Sequence, residues 1–124
     1  MKVSMIISGT VVKGMGRGRK IGFPTANIIP NVTSFSERGV YRTKVKLDGE
    51  IFNAITNIGV NPTFDLGHLV VESHIFDFDE DIVGKEIEVE LVSFIRNEVK
   101  FANVDQLIAQ IASDIKQAQA EIFL

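Results

Sequence analysis

Two stretches of the chain carry charged residues at every second position, which is the pattern of a β-strand with one buried face. Three cations take alternate positions in residues 40–47, and three glutamates alternate with aliphatic side chains in residues 86–91. We expect the two charged sets to face each other across neighbouring strands, because opposite charges stabilise cross-strand pairs. The charged residues are Arg42, Lys44, Lys46, Glu86, Glu88 and Glu90.

An Asp48-Gly49 pair separates the first stretch from a second apolar-rich run, residues 50–58. Asp-Gly between two such runs predicts a two-residue β-hairpin. Residues 69–78 are a further strand candidate, so the chain has five or six strands in total. A small antiparallel sheet protects its edges best by closing into a barrel, and the sequence therefore predicts a mainly β barrel.

The hydrophobic period changes near the C-terminus, where apolar residues recur at spacings of three and four. This period predicts an amphipathic helix that packs on the barrel. Asn103 and Gln106 have the spacing of a capping box at the first turn. The apolar positions are Val104, Leu107, Ile108, Ile111, Ile115, Ala118 and Ile122.

The composition limits the functions that the chain can have. Its 124 residues, 45% of them hydrophobic, suit one globular domain, which we expect to span residues 1–124. A net charge of −3 argues against general nucleic-acid affinity. The lack of cysteine fits a reducing compartment, and no signal peptide or membrane span of roughly 20 apolar residues stands out. We expect a cytoplasmic monomer with neither membrane nor nucleic-acid partners.

Five of the ten glycines fall within residues 9–22, together with four cations. Glycines let a backbone approach a ligand closely, and neighbouring cations suit a phosphate group. The segment is therefore either a phosphate-binding loop or a flexible surface turn, and its glycine spacing matches neither a P-loop nor a Rossmann site. Its residues include Gly9, Lys13, Gly14, Gly16, Arg17, Gly18, Arg19, Lys20 and Gly22.

The next element, Pro24-Thr25-Ala26-Asn27, carries a hydroxyl and a carboxamide two residues apart. In an extended segment both side chains project to the same side. Neutral oxygen ligands of this kind can hold a Mg²⁺ ion whose charge is balanced mostly by phosphates. The alternative interpretation is an ordinary turn.

Glu72 lies within an apolar run and shares a strand face with Val70, His74 and Phe76. A carboxylate in apolar surroundings costs free energy unless it is paired or its pKa rises, so its presence there calls for a reason. The alternative is that this face is exposed to solvent and Glu72 is an ordinary surface residue. We expect His74 to be structural, because two histidines without further ligands do not make a metal site.

These motifs occur in one order over nearly the whole chain, and in that order they resemble the riboflavin kinase family. After the glycine-rich segment and Pro24-Thr25-Ala26-Asn27 come Gly39-Val40-Tyr41, Asn57-Ile58-Gly59-x-Asn61-Pro62-Thr63-Phe64, Glu72-x-His74-Ile75-x-Asp77-Phe78, Gly84 and Arg96-x-Glu98-x-Lys100-Phe101. The resemblance implies a six-stranded antiparallel closed barrel of Greek-key type with a C-terminal α-helix. It also implies transfer of the ATP γ-phosphoryl group to the ribityl 5′-hydroxyl of riboflavin, giving FMN and ADP.

The same resemblance implies a role for each site residue. Glu72 would be the catalytic base, and Thr25 and Asn27 would hold Mg²⁺. Arg96 would contact the flavin, and the alternative for Arg96 is a surface arginine paired with Glu98. The residues that would bind ATP, the co-substrate, are Gly14, Gly16, Gly18, Lys20 and Asn57.

The chain departs from the family pattern in two ways. Bacterial members often have an arginine shortly before the glutamate, where this chain has Leu69-Val70-Val71, so we expect a different loop contact to substrate or nucleotide. No residues remain for the adenylyltransferase domain that many relatives carry, so FAD synthesis is not expected.

The competing hypothesis is a non-catalytic flavin-binding regulatory module within a longer RNA- or protein-binding chain. Thr25, Asn27 and Glu72 together favour the enzyme, because a sensor needs neither a base nor metal ligands.

Overall fold

The computed structural model describes residues 2–14, 17–31, 38–61 and 68–122. Six strands and two helices occur in these ranges. In chain order they are β1 (Lys2–Val12), α1 (Arg17–Lys20), β2 (Ala26–Pro30), β3 (Gly39–Leu47), β4 (Glu50–Asn61), β5 (His68–Ile75), β6 (Glu86–Arg96) and α2 (Val104–Ile122).

The strands close into an antiparallel barrel in the order β1-β2-β5-β4-β3-β6. Three consecutive strands, β3, β4 and β5, pair in sequence, and β6 returns to pair with the first of them. This is a Greek-key arrangement. Helix α2 contacts β4 and β6 from outside. The predicted mainly β closed barrel with a C-terminal helix is confirmed.

The β3–β4 connection is the hairpin that the Asp-Gly pair predicts. Leu47 pairs with Glu50, and the two intervening residues have positive φ angles of 50° at Asp48 and 82° at Gly49. Two successive left-handed residues are the signature of a type I′ turn, whose twist matches that of the flanking strands. Replacing Gly49 would place a side chain in this strained region.

The predicted charge pairing is confirmed for two of the three cations. Lys44 lies opposite Glu90 and Lys46 opposite Glu88 on β6. The prediction is wrong for Arg42, because an irregularity between Arg42 and Thr43 shifts the register. Arg42 instead forms an ion pair of 3.3 Å with Glu121 at the far end of α2.

The barrel interior is mainly aliphatic, with Tyr41 also buried in it, and it contains a short chain of buried hydroxyl groups. The Oγ1 atoms of Thr43 and Thr56 lie 2.8 Å apart, and Thr56 Oγ1 lies 2.7 Å from Ser73 Oγ. All three residues are fully buried. Each hydroxyl has a partner, so the polar groups lie inside the core without an unmet hydrogen bond.

Helix α2 begins with one of the two bonds of the predicted capping box, because Gln106 reaches the amide of Ala102 and not that of the N-cap residue Asn103. Asn103 Oδ1 accepts a hydrogen bond of 2.9 Å from the amide of Gln106, and Gln106 Oε1 accepts one of 3.2 Å from the amide of Ala102. These bonds satisfy amide groups that a helix start otherwise leaves unpaired. The sequence patterns assign no range to β1, β2 or the four-residue helix α1. Strand β1 extends into the glycine-rich segment at residues 9–12, and α1 lies within that segment.

Candidate active site

Three of the predicted site residues lie side by side on three neighbouring strands. Asn27 on β2 is directly opposite Glu72 on β5, and Glu72 is directly opposite Asn57 on β4. Residues opposed in this way carry their side chains on the same face, about 5 Å apart. We call Asn27, Glu72 and Asn57 the polar row.

The polar row lies on the outer face of the barrel. The next residues on the same strands, Ile28, Val71 and Ile58, are buried in the core, and side chains alternate between faces along a strand. Glu72 is half-buried, as are Val70, His74 and Phe76 on its face of β5. The face is therefore neither core nor open surface, which is the environment of a groove wall.

The segment that follows β1 meets the start of β2 at Gly14. A Cβ atom at Gly14 would lie 2.6 Å from Cγ of Asn27, so only glycine lets the chain pass this close to the carboxamide. Gly14 is thus fixed beside the polar row. Gly16 lies outside the described residues, Gly18 lies within α1, and Lys20 is exposed at the end of α1.

A large cavity of about 1030 Å³ lies over the polar row, between the barrel and α2. Its wall contains every described site residue that the sequence predicts except Gly18, namely Gly14, Lys20, Thr25, Asn27, Asn57, Glu72 and Arg96. The sequence predictions therefore converge on one place in the fold.

A second cavity of about 580 Å³ adjoins the first. Its lining includes Arg19 and the acidic turn of residues 79–81. The two cavities share one stretch of wall, so a molecule in one can meet a molecule in the other there. The shared residues are Val12, Lys13, Gly14, Thr25 and Asn27.

The opposite wall of the large cavity is formed by α2 and the preceding loop. Arg96 donates from Nε and Nη2 to the Asp114 carboxylate at 2.9–3.0 Å, and Gln110 donates to the same carboxylate at 2.9 Å. The Asp114 side chain is 2% exposed. The Arg96 guanidinium also lies over the ring of Phe101, 5.7 Å from its centroid. This bidentate ion pair fixes both the arginine and the helix.

The alternative interpretation of Arg96, a pair with Glu98, is wrong: its ion-pair partner is Asp114, and Glu98 lies against the backbone of Gly59. Sequence reasoning missed Asp114, although a signal was present. Asp114 follows Leu107 and Ile111 at helical spacing and precedes Ala118, so a carboxylate stands on the apolar stripe of α2. Part of that stripe, including Leu107 and Ile111, faces the cavity instead of the barrel.

The donor set of the site fits a metal bound largely by a phosphorylated ligand. Thr25 and Asn27 are two residues apart on the shared wall and offer neutral oxygen atoms. No cluster of three or more acidic or histidine side chains suited to a metal occurs in the described ranges. Mg²⁺ commonly keeps water ligands and takes few protein ligands in nucleotide sites, so the pair is sufficient only with phosphate oxygens.

The fold is a closed barrel, and the groove between the barrel and its C-terminal helix contains a carboxylate. This combination is typical of a ligand-binding β-barrel with an enzyme-like site. The family model described as "Flavokinase: Riboflavin kinase" matches residues 1–122. The chain therefore belongs to the riboflavin kinase family.

Curated relatives agree with this assignment. The bifunctional riboflavin kinase/FMN adenylyltransferase of Haemophilus influenzae is 45% identical over 92% of this chain and 37% of its own length. The RNA-binding riboflavin kinase RibR of Bacillus subtilis is 40% identical over 89% of this chain and 48% of its own length. The chain thus spans less than half of either relative.

A crystal structure described as a macrolide-efflux protein from Streptococcus pneumoniae has the same fold. It superposes with a TM-score of 0.86 at 36% identity, over 94% of this chain and 39% of that chain. Within the residues that the structure describes, neither helix has the length and apolar character needed to cross a membrane.

Proposed function

We propose that residues 1–124 form one riboflavin kinase domain that transfers the γ-phosphoryl group of Mg-ATP to the ribityl 5′-hydroxyl of riboflavin, giving FMN and ADP. The observation that carries this proposal is the meeting of two cavities at Thr25 and Asn27, beside Glu72. Phosphoryl transfer needs a donor and an acceptor held in line at one point. Two adjoining cavities with a shared polar wall provide that arrangement.

The large cavity is the proposed flavin site. Its volume of about 1030 Å³ suits a three-ring ligand with a polyol chain. Many of the side chains that line it are aliphatic or aromatic. An isoalloxazine ring needs such apolar surfaces, and the ribityl chain would extend along the polar row toward Glu72. Arg96, on the helix side, is the proposed polar contact to the flavin.

The smaller cavity is the proposed nucleotide site, with the phosphates directed to the shared wall. Lys13 and Arg19 supply positive charge in that cavity, whose lining also has the acidic residues 79–81. The phosphates are therefore proposed to lie at the shared wall, beside Lys13 and Gly14, where the glycine-rich segment lets backbone amides approach them. The proposed nucleotide-binding residues are Gly14, Gly16, Gly18, Lys20 and Asn57. Gly14 is on the shared wall, whereas Lys20 and Asn57 line the large cavity, so these two would meet only phosphates that reach across the shared wall.

The proposed mechanism uses Glu72 as general base. Its carboxylate accepts the proton of the 5′-hydroxyl while the hydroxyl oxygen forms a bond to the γ-phosphorus and the bond to the β,γ-bridging oxygen breaks. Thr25 and Asn27 hold the metal-bound phosphates in position for this attack. Bound Mg²⁺ supplies charge neutralisation on the phosphate oxygens. A cytoplasmic location remains a prediction, supported by the cysteine-free sequence.

The second candidate is a flavin-binding regulatory module within a longer RNA-binding chain, because one relative is named an RNA-binding riboflavin kinase. Purified chain is incubated with riboflavin, ATP and Mg²⁺, FMN is separated by chromatography, and riboflavin binding is followed by flavin fluorescence. Time-dependent FMN that requires both ATP and Mg²⁺ supports the kinase. Riboflavin binding without any FMN would refute it and favour the binding module.

A further inference from the structure

We propose that His74 is a positioning residue that holds the Pro24-Thr25 segment, and with it the phosphate-side wall, against β5. The inference rests on the proposed function, because it assigns His74 a task in Mg-ATP use. Nδ1 of His74 lies 2.8 Å from the carbonyl oxygen of Pro24. A carbonyl can only accept, so Nδ1 carries the hydrogen and donates it.

The need for this bond arises where the β2–β5 ladder ends. The last backbone pair on this side is Ala26 with Ser73. In the same register, the next residues opposite each other are Thr25 and His74. The ladder cannot continue normally beyond Thr25, because Pro24 has no amide hydrogen and its φ angle is fixed by the ring. The His74 side chain takes the place of the missing backbone partner and satisfies the Pro24 carbonyl.

The imidazole itself is held on two sides. Phe23 contacts it edge-on at 5.8 Å between ring centroids with an interplanar angle of 86°, and Phe76 does so at 5.9 Å and 62°. Such edge-to-face contacts fix a ring's orientation. His74 therefore presents Nδ1 to Pro24 in one direction instead of swinging freely.

Thr25 is exposed and precedes the first residue of the strand, so its position depends on what anchors the chain on either side. On the C-terminal side the anchor is the ladder at Ala26 and Asn27. On the N-terminal side it is the His74 bond to Pro24. Thr25 and Asn27 form part of the wall shared by the two cavities. Loss of the His74 bond should make the position of Thr25 less fixed. The polar row, including Asn27, should stay in place because the strand ladders hold it.

The test compares three substitutions of His74 by steady-state kinetics. His74→Phe keeps an aromatic ring between Phe23 and Phe76 and removes the donor. His74→Asn places an amide nitrogen near the position of Nδ1, and His74→Gln carries the same amide one methylene further out. The KM for Mg-ATP should rise about 10-fold in the Phe and Gln variants, the effect of one lost hydrogen bond, and recover in the Asn variant.

His74 also lines the large cavity, so each substitution changes the proposed flavin wall as well. The KM for riboflavin should therefore rise too in the Phe and Gln variants, but less than the KM for Mg-ATP, because the polar row and the helix wall are retained. An unchanged KM for Mg-ATP in the Phe and Gln variants overturns the proposal. So does an equal rise in both KM values, or an Asn variant as impaired as Gln. If thermal denaturation shows that His74→Phe does not fold, the Asn-against-Gln comparison decides.

Failure of the proposed function gives a different result. If wild type makes no FMN, the kinase proposal fails, and His74 is then judged by calorimetric titration of the same variants with ADP and Mg²⁺. Weaker Mg-ADP binding in the Phe and Gln variants, restored in Asn, still supports positioning. Equal Mg-ADP affinity in all variants overturns it.

Discussion

The two walls of the large cavity are built by different means. On the barrel side, Asn27, Glu72 and Asn57 are placed by the backbone ladders of three strands. On the helix side, the surface depends on one side-chain ion pair, Arg96 with Asp114, and on the loop between them. A ladder is fixed by many hydrogen bonds, whereas an ion pair can be removed by one substitution. Groups that need exact placement for chemistry belong on the first wall, and groups that only enclose a ligand suit the second.

Glu72→Gln should have the largest effect, because it removes the base from the rigid wall without changing its shape. We expect turnover to fall about 10²–10⁴-fold, the range for a lost general base, with riboflavin affinity nearly unchanged. FMN formation and flavin fluorescence measure the two quantities. Glu88→Gln is the control, since Glu88 is an exposed strand residue opposite Lys46, and it should behave as wild type. Normal turnover in the Glu72→Gln variant would remove Glu72 from the mechanism.

Asp114→Ala should destabilise the helix side of the large cavity. It leaves the Arg96 charge without its buried partner, and such a loss costs about 3–5 kcal/mol of the free energy of unfolding. Urea denaturation measures this change. Glu121→Ala is the matched control, because it removes the other ion pair of α2, whose glutamate is 27% exposed. The control should cost less than Asp114→Ala, because the Glu121 carboxylate is the more exposed of the two, at 27% against 2%. Equal losses in the two variants would contradict the distinction between the buried and the more exposed pair.

Thr25→Ala should weaken Mg²⁺ binding at the shared wall without changing riboflavin binding. We expect the Mg²⁺ concentration for half-maximal activity to rise about 10-fold, because one of few protein oxygen ligands is lost. Activity is measured over a Mg²⁺ titration at saturating ATP. Thr10→Ala is the control, since Thr10 lies on β1 with its hydroxyl 3.4 Å from Glu86. The same Mg²⁺ dependence in Thr25→Ala and wild type would exclude Thr25 as a metal ligand.

The smallest effect concerns a pair far from both walls. A hydrogen bond from the Lys85 ammonium to the Asp48 carboxylate, and the attraction between their charges, raise the pKa of Lys85 above 10.5. The stabilisation is therefore fully present below the unfolded value of 10.5 and is lost as the pH rises through the higher folded pKa. Lys85→Met should remove only this alkaline change. Denaturation midpoints at about pH 9 and about pH 12 measure it, and identical pH slopes in both proteins would refute the linkage.

The sequence predicts β3, β4, β5, β6 and the hairpin because their signals are local. Alternation in residues 40–47 and 86–91 and the Asp-Gly pair each act over a few residues. The register irregularity at Arg42 is not local, since it belongs to the pairing of β3 with β6, two strands far apart in the sequence. For that reason two cation partners were predictable and the third was not.

The site was predictable in part for a similar reason. Thr25, Asn27 and Glu72 stand out by residue type within unusual surroundings, and the family resemblance relates them to one reaction. Asp114 was missed because its role is to pair with Arg96, which is 18 residues away in the sequence. Only the packing of α2 on the barrel shows that the two side chains meet. A structural role for His74 was expected, but its bond to Pro24 follows only from the end of the β2–β5 ladder.

The most direct test of the difference between the walls is a single-turnover experiment with γ-labelled ATP and riboflavin, both saturating. The rate of label transfer to FMN is measured for wild type, Glu72→Gln and Asp114→Asn, below the unfolding temperature of each. The account predicts slow transfer in Glu72→Gln and near-normal transfer in Asp114→Asn, whose defect lies in riboflavin affinity. Normal transfer in Glu72→Gln with slow transfer in Asp114→Asn would contradict it.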